Sequence, residues 1–244
     1  MQKSKNSILD PVTAYDAFAP YYQAYSERRL AYLKSVETII GTYATGADSL
    51  LDVGAGDGSR ISRIASSIKS REIVLVEPSK AMLARCNLRA ELMNCRIAEI
   101  PETEKKFDAI TCLWNVLGHL RGADERRASL ERLKSLLGPS GSIFLDVNHR
   151  YNAAAYGWLK TSLRILHDLL APSETNGDIV VQWKAGTEEI ATLGHAFTLR
   201  ELRQLFAQTG LAIHRLWIID YATGAVRHSR FLGQLLFALK HDGS

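Results

Sequence analysis

The sequence predicts an α/β fold built on a doubly wound, mostly parallel sheet. From residue 49 to about residue 148, apolar runs of strand length alternate with amphipathic stretches of helix length. A glycine-rich turn at residues 54–58 directly follows the first apolar run, and an acidic residue, Glu77, ends the second. These observations are typical of a sheet that binds a ligand beyond the carboxyl ends of its strands.

Length and composition favour one large globular domain. The chain has 244 residues, of which 46% are hydrophobic and 23% are charged, so a substantial core can form. The polar start at residues 1–6 is the exception to this ordinary composition. A formal net charge of +4 is too small to indicate a nucleic-acid partner.

Three cysteines, Cys86, Cys95 and Cys112, lack both CxxC spacing and a nearby pair of histidines. We therefore expect no metal site and no disulfide framework. The N-terminus lacks a basic segment followed by a long apolar run, and no stretch approaches the ~18 apolar residues of a membrane span. A cytoplasmic enzyme without a membrane partner is the simplest interpretation.

The first half of the predicted sheet follows from apolar periodicity. Residues 49–53 form the first strand, and the helix at 59–67 carries Ile61 and Ile64 at helical spacing. Residues 72–76 form the second strand, and Ser79 is suited to cap the helix that follows.

The second half continues the alternation. Residues 93–98 form a short third strand, and residues 107–113 form a fourth with the continuous apolar content of a strand covered on both faces. The helix at 124–137 ends at the Gly-Pro-Ser-Gly stretch, residues 138–141, and the fifth strand is 142–147.

After Asn148 the regular alternation of strand-like and helix-like stretches stops, which predicts an insertion at residues 149–196. Within it we expect a helix at 153–170 and a hairpin at 179–183 and 188–193, acting as a lid or substrate-recognition element. The closing elements are a helix at 198–208 with a capping box of Thr198 and Glu201, followed by two antiparallel edge strands at 211–221 and 230–239.

The glycine-rich turn has a chemical reason for its composition. Its backbone must bend tightly and approach a ligand, which a Cβ atom would block, and the helix start behind it offers free N–H groups to an anion. A dinucleotide fingerprint, GxGxxG, would place its third glycine at position 59, but position 59 is Ser and the third glycine is Gly58. The carboxylate of Glu77 can accept hydrogen bonds from both hydroxyls of a ribose.

Residues 51–58, LDVGAGDG, resemble the first motif of class I S-adenosylmethionine (SAM)-dependent methyltransferases, (L/V)(L/V)D(V/I)GxGxG. Glu77 matches their second-strand acid, and residues 107–110 and 136–141 resemble the landmarks at strands four and five. The resemblance covers roughly residues 15–148 well. It implies a seven-stranded sheet in the order 3-2-1-4-5-7-6 with an insertion after strand five, SAM as cofactor and S-adenosylhomocysteine as product.

The same resemblance implies a set of cofactor contacts. They are Asp52, Gly54, Ala55 and Gly56 around the methionine part, Glu77 at the ribose, Pro78 and Met82 beside the adenosine, and Leu113 beside the sulfonium. The third-strand segment lacks the family's usual Asp, and Ile97 and Glu99 are the candidates in its place. The N-terminal segment, residues 1–48, would be helical and lie over the cofactor, with Tyr22 at the SAM carboxylate.

Methyl transfer depends mainly on positioning, and a protein base is needed only when the acceptor arrives protonated. His119, just past strand four, is the first candidate base because imidazole titrates near neutrality, although packing would explain it equally well. His149, past strand five, is the second, and a loop histidine, His195, is a weaker one. The candidate substrate contacts are Trp114, Asn115, Asn148 and Tyr151.

The leading functional hypothesis is transfer of a methyl group from SAM to N or O of a small molecule. Three alternatives stay open: an RNA-modifying methyltransferase, a SAM-binding partner protein without catalysis, and a nicotinamide-dependent oxidoreductase. The sequence also leaves open the acceptor atom and the formation of a homodimer.

Overall fold

The computed structural model describes residues 8–243, and the polar start at residues 1–6 lies outside them. The strands are β1 (Ile8–Leu9), β2 (Ser49–Val53), β3 (Glu72–Val76), β4 (Glu91–Met93), β5 (Phe107–Cys112), β6 (Leu137–Val147), β7 (Asp178–Ala185), β8 (Glu188–His195), β9 (Leu211–Ile219), β10 (Val226–Arg227) and β11 (Gln234–His241). The helices are α1 (Pro11–Phe18), α2 (Tyr22–Glu27), α3 (Leu30–Tyr43), α4 (Ser59–Ile68), α5 (Lys80–Leu83), α6 (Gly122–Leu136), α7 (Ala153–Tyr156), α8 (Trp158–Leu170) and α9 (Leu199–Gln208).

The centre of the molecule is an eight-stranded sheet in the order β10-β9-β11-β6-β5-β2-β3-β4. The pairs from β4 across to β6 are parallel, whereas β11 runs antiparallel to both β6 and β9. Helices α6 and α9 pack on one face of this sheet and α3 and α4 on the other, so all five residues of β2 are buried. The predicted α/β fold with a mostly parallel sheet is confirmed.

The predicted count of seven strands is wrong, because β10 adds an eighth at the edge. Val226 pairs with Ile219 of β9. The chain folds back at Asp220, whose carboxylate accepts hydrogen bonds from the backbone N–H of Ala222 and from the guanidinium of Arg227. A side chain that closes a turn in this way leaves little trace in apolar periodicity.

Three predicted boundaries are also wrong. Strand β4 ends at Met93, where the Asn94 amide donates to the carbonyls of Glu77 and Pro78, at 2.9 Å each, and turns the chain away. The stretch at 138–141, predicted to end the helix ahead of a strand that begins at 142, is an irregular part of β6, since Phe107 pairs with Leu137 but Ala109 pairs with Ser142. The predicted helix at 153–170 is split at Gly157, which has a φ of 81°.

A second, three-stranded sheet joins the N-terminal segment to the insertion. The predicted hairpin is confirmed as β7 and β8, and β1 pairs in parallel with β8, Ile8 opposite Ala191. Helix α1 lies against the same hairpin, where Phe18 stacks on Trp183 with ring centroids 4.7 Å apart. We call this unit, β1, α1, α2, β7 and β8, the cap.

The cap is tied to the loop that follows β5. The Asn115 amide donates to the carbonyl of His195, at 3.3 Å, and a ring nitrogen of His119 lies 3.2 Å from the carbonyl oxygen of Leu193. These contacts place the cap beyond the carboxyl ends of the parallel strands. No helix within residues 8–243 is long and apolar enough to cross a membrane.

Candidate active site

The glycine-rich turn after β2 has the close packing that its composition predicts. Gly54 and Gly56 have φ values of 66° and 61°, a region that residues with a Cβ rarely adopt. A Cβ on Gly54 would lie 2.3 Å from a Val116 methyl carbon, and one on Gly56 would lie 3.2 Å from the Tyr22 hydroxyl oxygen. The turn therefore requires glycine at both positions.

Glu77 stands at the end of β3 and faces this turn. Its two carboxylate oxygens accept the backbone N–H groups of Gly56 and Ser79, each at 2.8 Å. Burial raises the pKa of Glu77 to about 7, although the two N–H groups act in the opposite direction. The carboxyl group is thus fixed in place with lone pairs left to accept further hydrogen bonds.

Asp52 and Arg60 form a buried pair of opposite charges behind the turn. Asp52 accepts a hydrogen bond from the Thr111 hydroxyl at 2.6 Å, and its other carboxylate oxygen has no partner among the described residues. Burial raises the pKa of Asp52 to about 6, opposed by the nearby guanidinium of Arg60. Arg60 is 7% exposed, and its Nε is also without a partner in that part of the chain.

A cavity opens in front of these groups, between the sheet edge and helix α1. Eight of the residues predicted to contact the cofactor line it: Tyr22, Gly54, Gly56, Glu77, Pro78, Met82, Ile97 and Leu113. Asp52 and Ala55 lie behind this lining layer, both buried. Glu99 does not line the cavity, because its carboxylate accepts the backbone N–H of Arg96 at 2.8 Å.

A second, smaller cavity adjoins the first on the side of the cap. Of the predicted substrate contacts, Trp114, Asn115 and Asn148 line it, together with Trp183 of the cap. The side chains of Tyr15, Tyr22, Trp114 and His119 line both cavities. The two spaces therefore meet at these four side chains.

Tyr15 and His119 form a hydrogen-bonded pair at that junction. The Tyr15 hydroxyl lies 3.2 Å from His119 Nε2, and Nδ1 of the same ring lies 3.2 Å from the Leu193 carbonyl oxygen. Only a protonated Nδ1 can bond to a carbonyl, so Nε2 of the neutral ring is the acceptor and the Tyr15 hydroxyl is the donor. Burial lowers the pKa of His119, which favours this neutral form.

Comparison with known proteins finds a family model that matches the part of the chain containing the glycine-rich turn. Residues 51–143 match the model of a family described as a methyltransferase domain. This part of the chain is therefore similar to a methyltransferase domain. The match begins at the end of β2 and runs into β6, so it contains the glycine-rich turn, Glu77 and His119.

A curated protein to which the chain is similar is dTDP-3-amino-3,6-dideoxy-alpha-D-glucopyranose N,N-dimethyltransferase of Streptomyces fradiae. It is 29% identical over 109 residues, which are 44% of this chain and 42% of the relative. The alignment thus spans less than half the length of either protein.

Solved structures extend the likeness to nearly the whole chain. A SAM-dependent methyltransferase from Clostridium acetobutylicum has a TM-score of 0.66 at 14% identity, covering 94% of this chain and 99% of that one. A SAM-bound amino pentose methyltransferase from Micromonospora echinaspora has a TM-score of 0.59 at 19% identity, covering 90% and 96%. At such identities the likeness establishes the fold, which is that of class I methyltransferases.

Three residues that the sequence proposed for the site lie outside both cavities. His149 and Tyr151 line a separate cleft, where the Tyr151 hydroxyl donates to Asp168 at 2.6 Å. His195 is 1% exposed and lies between the carboxylates of Asp178 and Glu201, at 2.7 and 2.9 Å, so it joins the hairpin to α9.

Sequence reasoning missed Tyr15 and Arg60. Arg60 falls on the buried face of α4 beside Ile61 and Ile64, and a charged residue on an apolar helix face is a usable signal. Tyr15 stands in a run rich in tyrosine, and only the docking of α1 on the hairpin distinguishes it from its neighbours.

Proposed function

We propose that this protein is a SAM-dependent methyltransferase whose acceptor is the amine nitrogen of a small, sugar-like molecule. The observation that carries the proposal is the Tyr15–His119 pair at the junction of the two cavities. A neutral imidazole in that place can take the proton that an ammonium must lose before its nitrogen becomes a nucleophile.

The first cavity has the groups that SAM requires. Arg60, with an unpaired buried Nε, and the Tyr22 hydroxyl suit the carboxylate of the methionine part, and Asp52 balances the charge of Arg60. Glu77 suits the ribose hydroxyls, and Met82 and Ile97 offer apolar walls to the adenine. When bound, SAM would supply an activated methyl group, because its sulfonium sulfur leaves as the neutral thioether of S-adenosylhomocysteine.

The chain's own residues then have two tasks. His119 Nε2 receives the acceptor's proton, directly or through the Tyr15 hydroxyl, while the Leu193 carbonyl keeps the ring in the required tautomer. The aromatic side chains of Trp114, Trp183 and Tyr25 line the second cavity and exclude water from the reacting nitrogen.

The choice of a sugar-like amine rests on the second cavity and on the relatives. Asn148 lines that cavity and offers an amide suited to a hydroxyl group, whereas Asn115 binds the backbone of Asn148 and His195 and acts by positioning. The curated relative is an N,N-dimethyltransferase of an amino sugar, and one structural neighbour is an amino pentose methyltransferase. In this proposal residues 149–196 recognise the substrate and the N-terminal segment covers the cofactor.

The test begins with calorimetric titration by S-adenosylhomocysteine and, separately, by NAD. We expect micromolar binding of the first and none of the second, and a preference for NAD would overturn the proposal. Amino sugars and their hydroxyl counterparts are then incubated with SAM, and methylation is followed by mass spectrometry. Methylation of the amines alone supports the proposal, and methylation of the hydroxyl compounds or of RNA alone would contradict it.

A matched variant separates binding from transfer. His119→Gln should bind S-adenosylhomocysteine as the wild type does and transfer methyl groups far more slowly. Cofactor binding by the wild type without methylation of any amine would indicate a SAM-binding partner protein instead.

A further inference from the structure

A large cleft on the insertion side of the molecule is separate from both cavities of the active site. Its volume is about 790 Å³, and its walls are formed by α6, residues 149–151, α8, the loop at 172–176, α9 and residues 230–231. Cavities of about 300–1,000 Å³ are the size class that binds small molecules.

A pair of extended segments divides this cleft from the acceptor cavity. His149 and Phe197 form a parallel bridge, in which the Phe197 N–H donates to the Asn148 carbonyl and the Arg150 N–H donates to the Phe197 carbonyl, both at 2.8 Å. Asn148 lines the acceptor cavity, whereas His149 and Arg150 line the cleft. The neighbouring residues Asn148 and His149 thus line different spaces, so a molecule in the cleft lies behind this wall.

Three buried side chains that line the cleft have polar atoms without a partner within residues 8–243. They are Arg126 Nε, Arg150 Nε and His149 Nδ1, on side chains that are 5%, 6% and 1% exposed as residues. Buried polar groups are nearly always hydrogen-bonded in folded proteins. Three such groups on one cleft therefore point to a molecule that binds them.

Two of the three acidic residues of the cleft, Asp168 and Glu201, already have partners, and the third, Glu174, is exposed. Asp168 accepts hydrogen bonds from Arg150 Nη2, the Tyr151 hydroxyl and the Asn176 amide. Glu201 accepts from His195 at 2.9 Å and stands 4.0 Å from Arg126 Nη1. The unmet groups are thus mainly cationic donors.

His149 adds one acceptor to this set. Burial lowers the pKa of His149 to about 4, so the ring is neutral and one of its two nitrogens carries a lone pair that can accept a hydrogen bond. A ligand that satisfies the cleft must bring anionic oxygens for the guanidinium groups and at least one hydroxyl or N–H donor for His149.

We infer that this cleft is a second binding site, for a small hydroxylated anion such as a sugar phosphate or a sugar acid. The anionic group binds Arg126 and Arg150, with the exposed Arg230 at the rim, and a hydroxyl donates to His149 Nδ1. The bound molecule does not reach the transferred methyl group, because the wall at residues 148–150 stands between them.

The test is calorimetric titration of glucose 1-phosphate into the protein saturated with S-adenosylhomocysteine. We expect one binding site with the cofactor cavity filled, and no binding of glucose, which lacks the anion. Gluconate in a parallel titration distinguishes a carboxylate ligand from a phosphate ligand. The inference is overturned if neither anion binds, or if an anion binds only when S-adenosylhomocysteine is absent. Binding of S-adenosylhomocysteine itself tests the proposed function and not this inference.

Variants locate the binding. Arg126→Gln should weaken binding of the anion at least tenfold, and Arg230→Gln, on the exposed rim, should weaken it without any risk to the core. Arg127→Gln is the matched control, because Arg127 is an exposed neighbour on the same helix that pairs with Asp124. Unchanged anion binding in both Arg126→Gln and Arg230→Gln would place the ligand elsewhere and contradict the inference.

Discussion

His119 is suited to its proposed role because its surroundings keep it neutral. Burial lowers its pKa, and the Leu193 carbonyl fixes the proton on Nδ1, so that Nε2 faces Tyr15 as an acceptor. The pKa of Tyr15 is raised well above its ordinary value, chiefly by burial, so its hydroxyl stays protonated and can donate. The pair therefore has one defined hydrogen-bond direction before any acceptor binds.

The first prediction concerns this pair. His119→Gln should lower kcat by about 10²–10⁴-fold, the usual contribution of a general base, and Tyr15→Phe should lower it less. In the wild type, kcat should fall only as the pH drops through a pKa below the ordinary histidine value, and this limb should vanish in His119→Gln. The affinity for S-adenosylhomocysteine, measured by calorimetry, should not change. A loss of cofactor affinity as large as the loss in kcat would exclude the role as base.

The second prediction concerns Glu77, whose pKa burial raises from 4.5 to about 7. Between these values the unfolded chain has lost the proton that the folded chain still holds, so the free energy of unfolding falls as the pH rises through this window. The decrease in the free energy of unfolding is complete once the pH exceeds the pKa of Glu77 in the folded protein. It amounts to a few kcal/mol at most, since a shift of one pKa unit corresponds to about 1.4 kcal/mol.

Urea denaturation without cofactor measures this effect in wild type and Glu77→Gln. The excess stability of the wild type over the variant should shrink from about pH 5 to about pH 8. Glu72→Gln, at the exposed start of the same strand, controls for the change of side chain. A difference between wild type and Glu77→Gln that does not vary with pH would show that the carboxyl group is already ionised in the folded protein at the acidic end.

At the scale of elements, the sequence was most informative where local pattern decides the structure. Strands β2 and β3 have the predicted bounds, and α4 extends one residue further than predicted, because apolar runs and the glycine-rich turn mark these ends. The misjudged elements depend on distant partners: β4 is ended by the Asn94 side chain, and the irregular start of β6 follows from its pairing with Phe107.

The same distinction applies to the candidate site. The resemblance to the family named eight residues that line the cofactor cavity, of which Gly54 and Gly56 come from one contiguous motif. The sequence did not predict Tyr15, because its role depends on the docking of α1 against Trp183. It did not predict Arg60 either, because the role of Arg60 depends on Asp52 across the turn. A single sequence without its fold does not show which distant side chains meet.

The third prediction concerns the capping box of α9, which the sequence identified. The Thr198 hydroxyl accepts the Glu201 N–H at 3.1 Å, and the Glu201 carboxylate accepts the Thr198 N–H at 3.3 Å. Thr198→Ala should lower the free energy of unfolding by about 1 kcal/mol, the usual cost of removing a cap. Chemical denaturation measures it, and Thr198→Ser, which keeps the hydroxyl, should recover most of the loss. Equal losses in both variants would attribute the effect to packing.

At the scale of the whole molecule, the acceptor cavity lies between two parts of different origin in the chain. The loop that follows β5 supplies Trp114 and Asn115, and the cap supplies Tyr15 and Trp183. The cap itself joins the N-terminal segment to the insertion, two stretches that are separated in the chain by strands β2 to β6. Opening of the cap would therefore expose the acceptor cavity and part of the cofactor cavity together.

Trp183 is the side chain most suited to test whether the cap behaves as one unit. It is 5% exposed, stacks on Phe18 at 4.7 Å between ring centroids and lies 5.0 Å from Tyr15. Truncating a buried tryptophan removes about 3–5 kcal/mol of packing, a large share of what holds so small a unit on the sheet. The hydrogen bonds of β2 and β5 do not depend on this contact.

The fourth prediction follows from this geometry. In Trp183→Ala, hydrogen exchange measured by mass spectrometry should accelerate together in α1, β7 and β8 and stay unchanged in β2 and β5. Trp158→Ala is the matched control, because Trp158 is 60% exposed and lies outside the cap, so exchange in the cap should not change. If the hairpin alone exchanged faster while α1 kept its protection, the two segments would open independently, and access to the acceptor cavity would be controlled by only one of them.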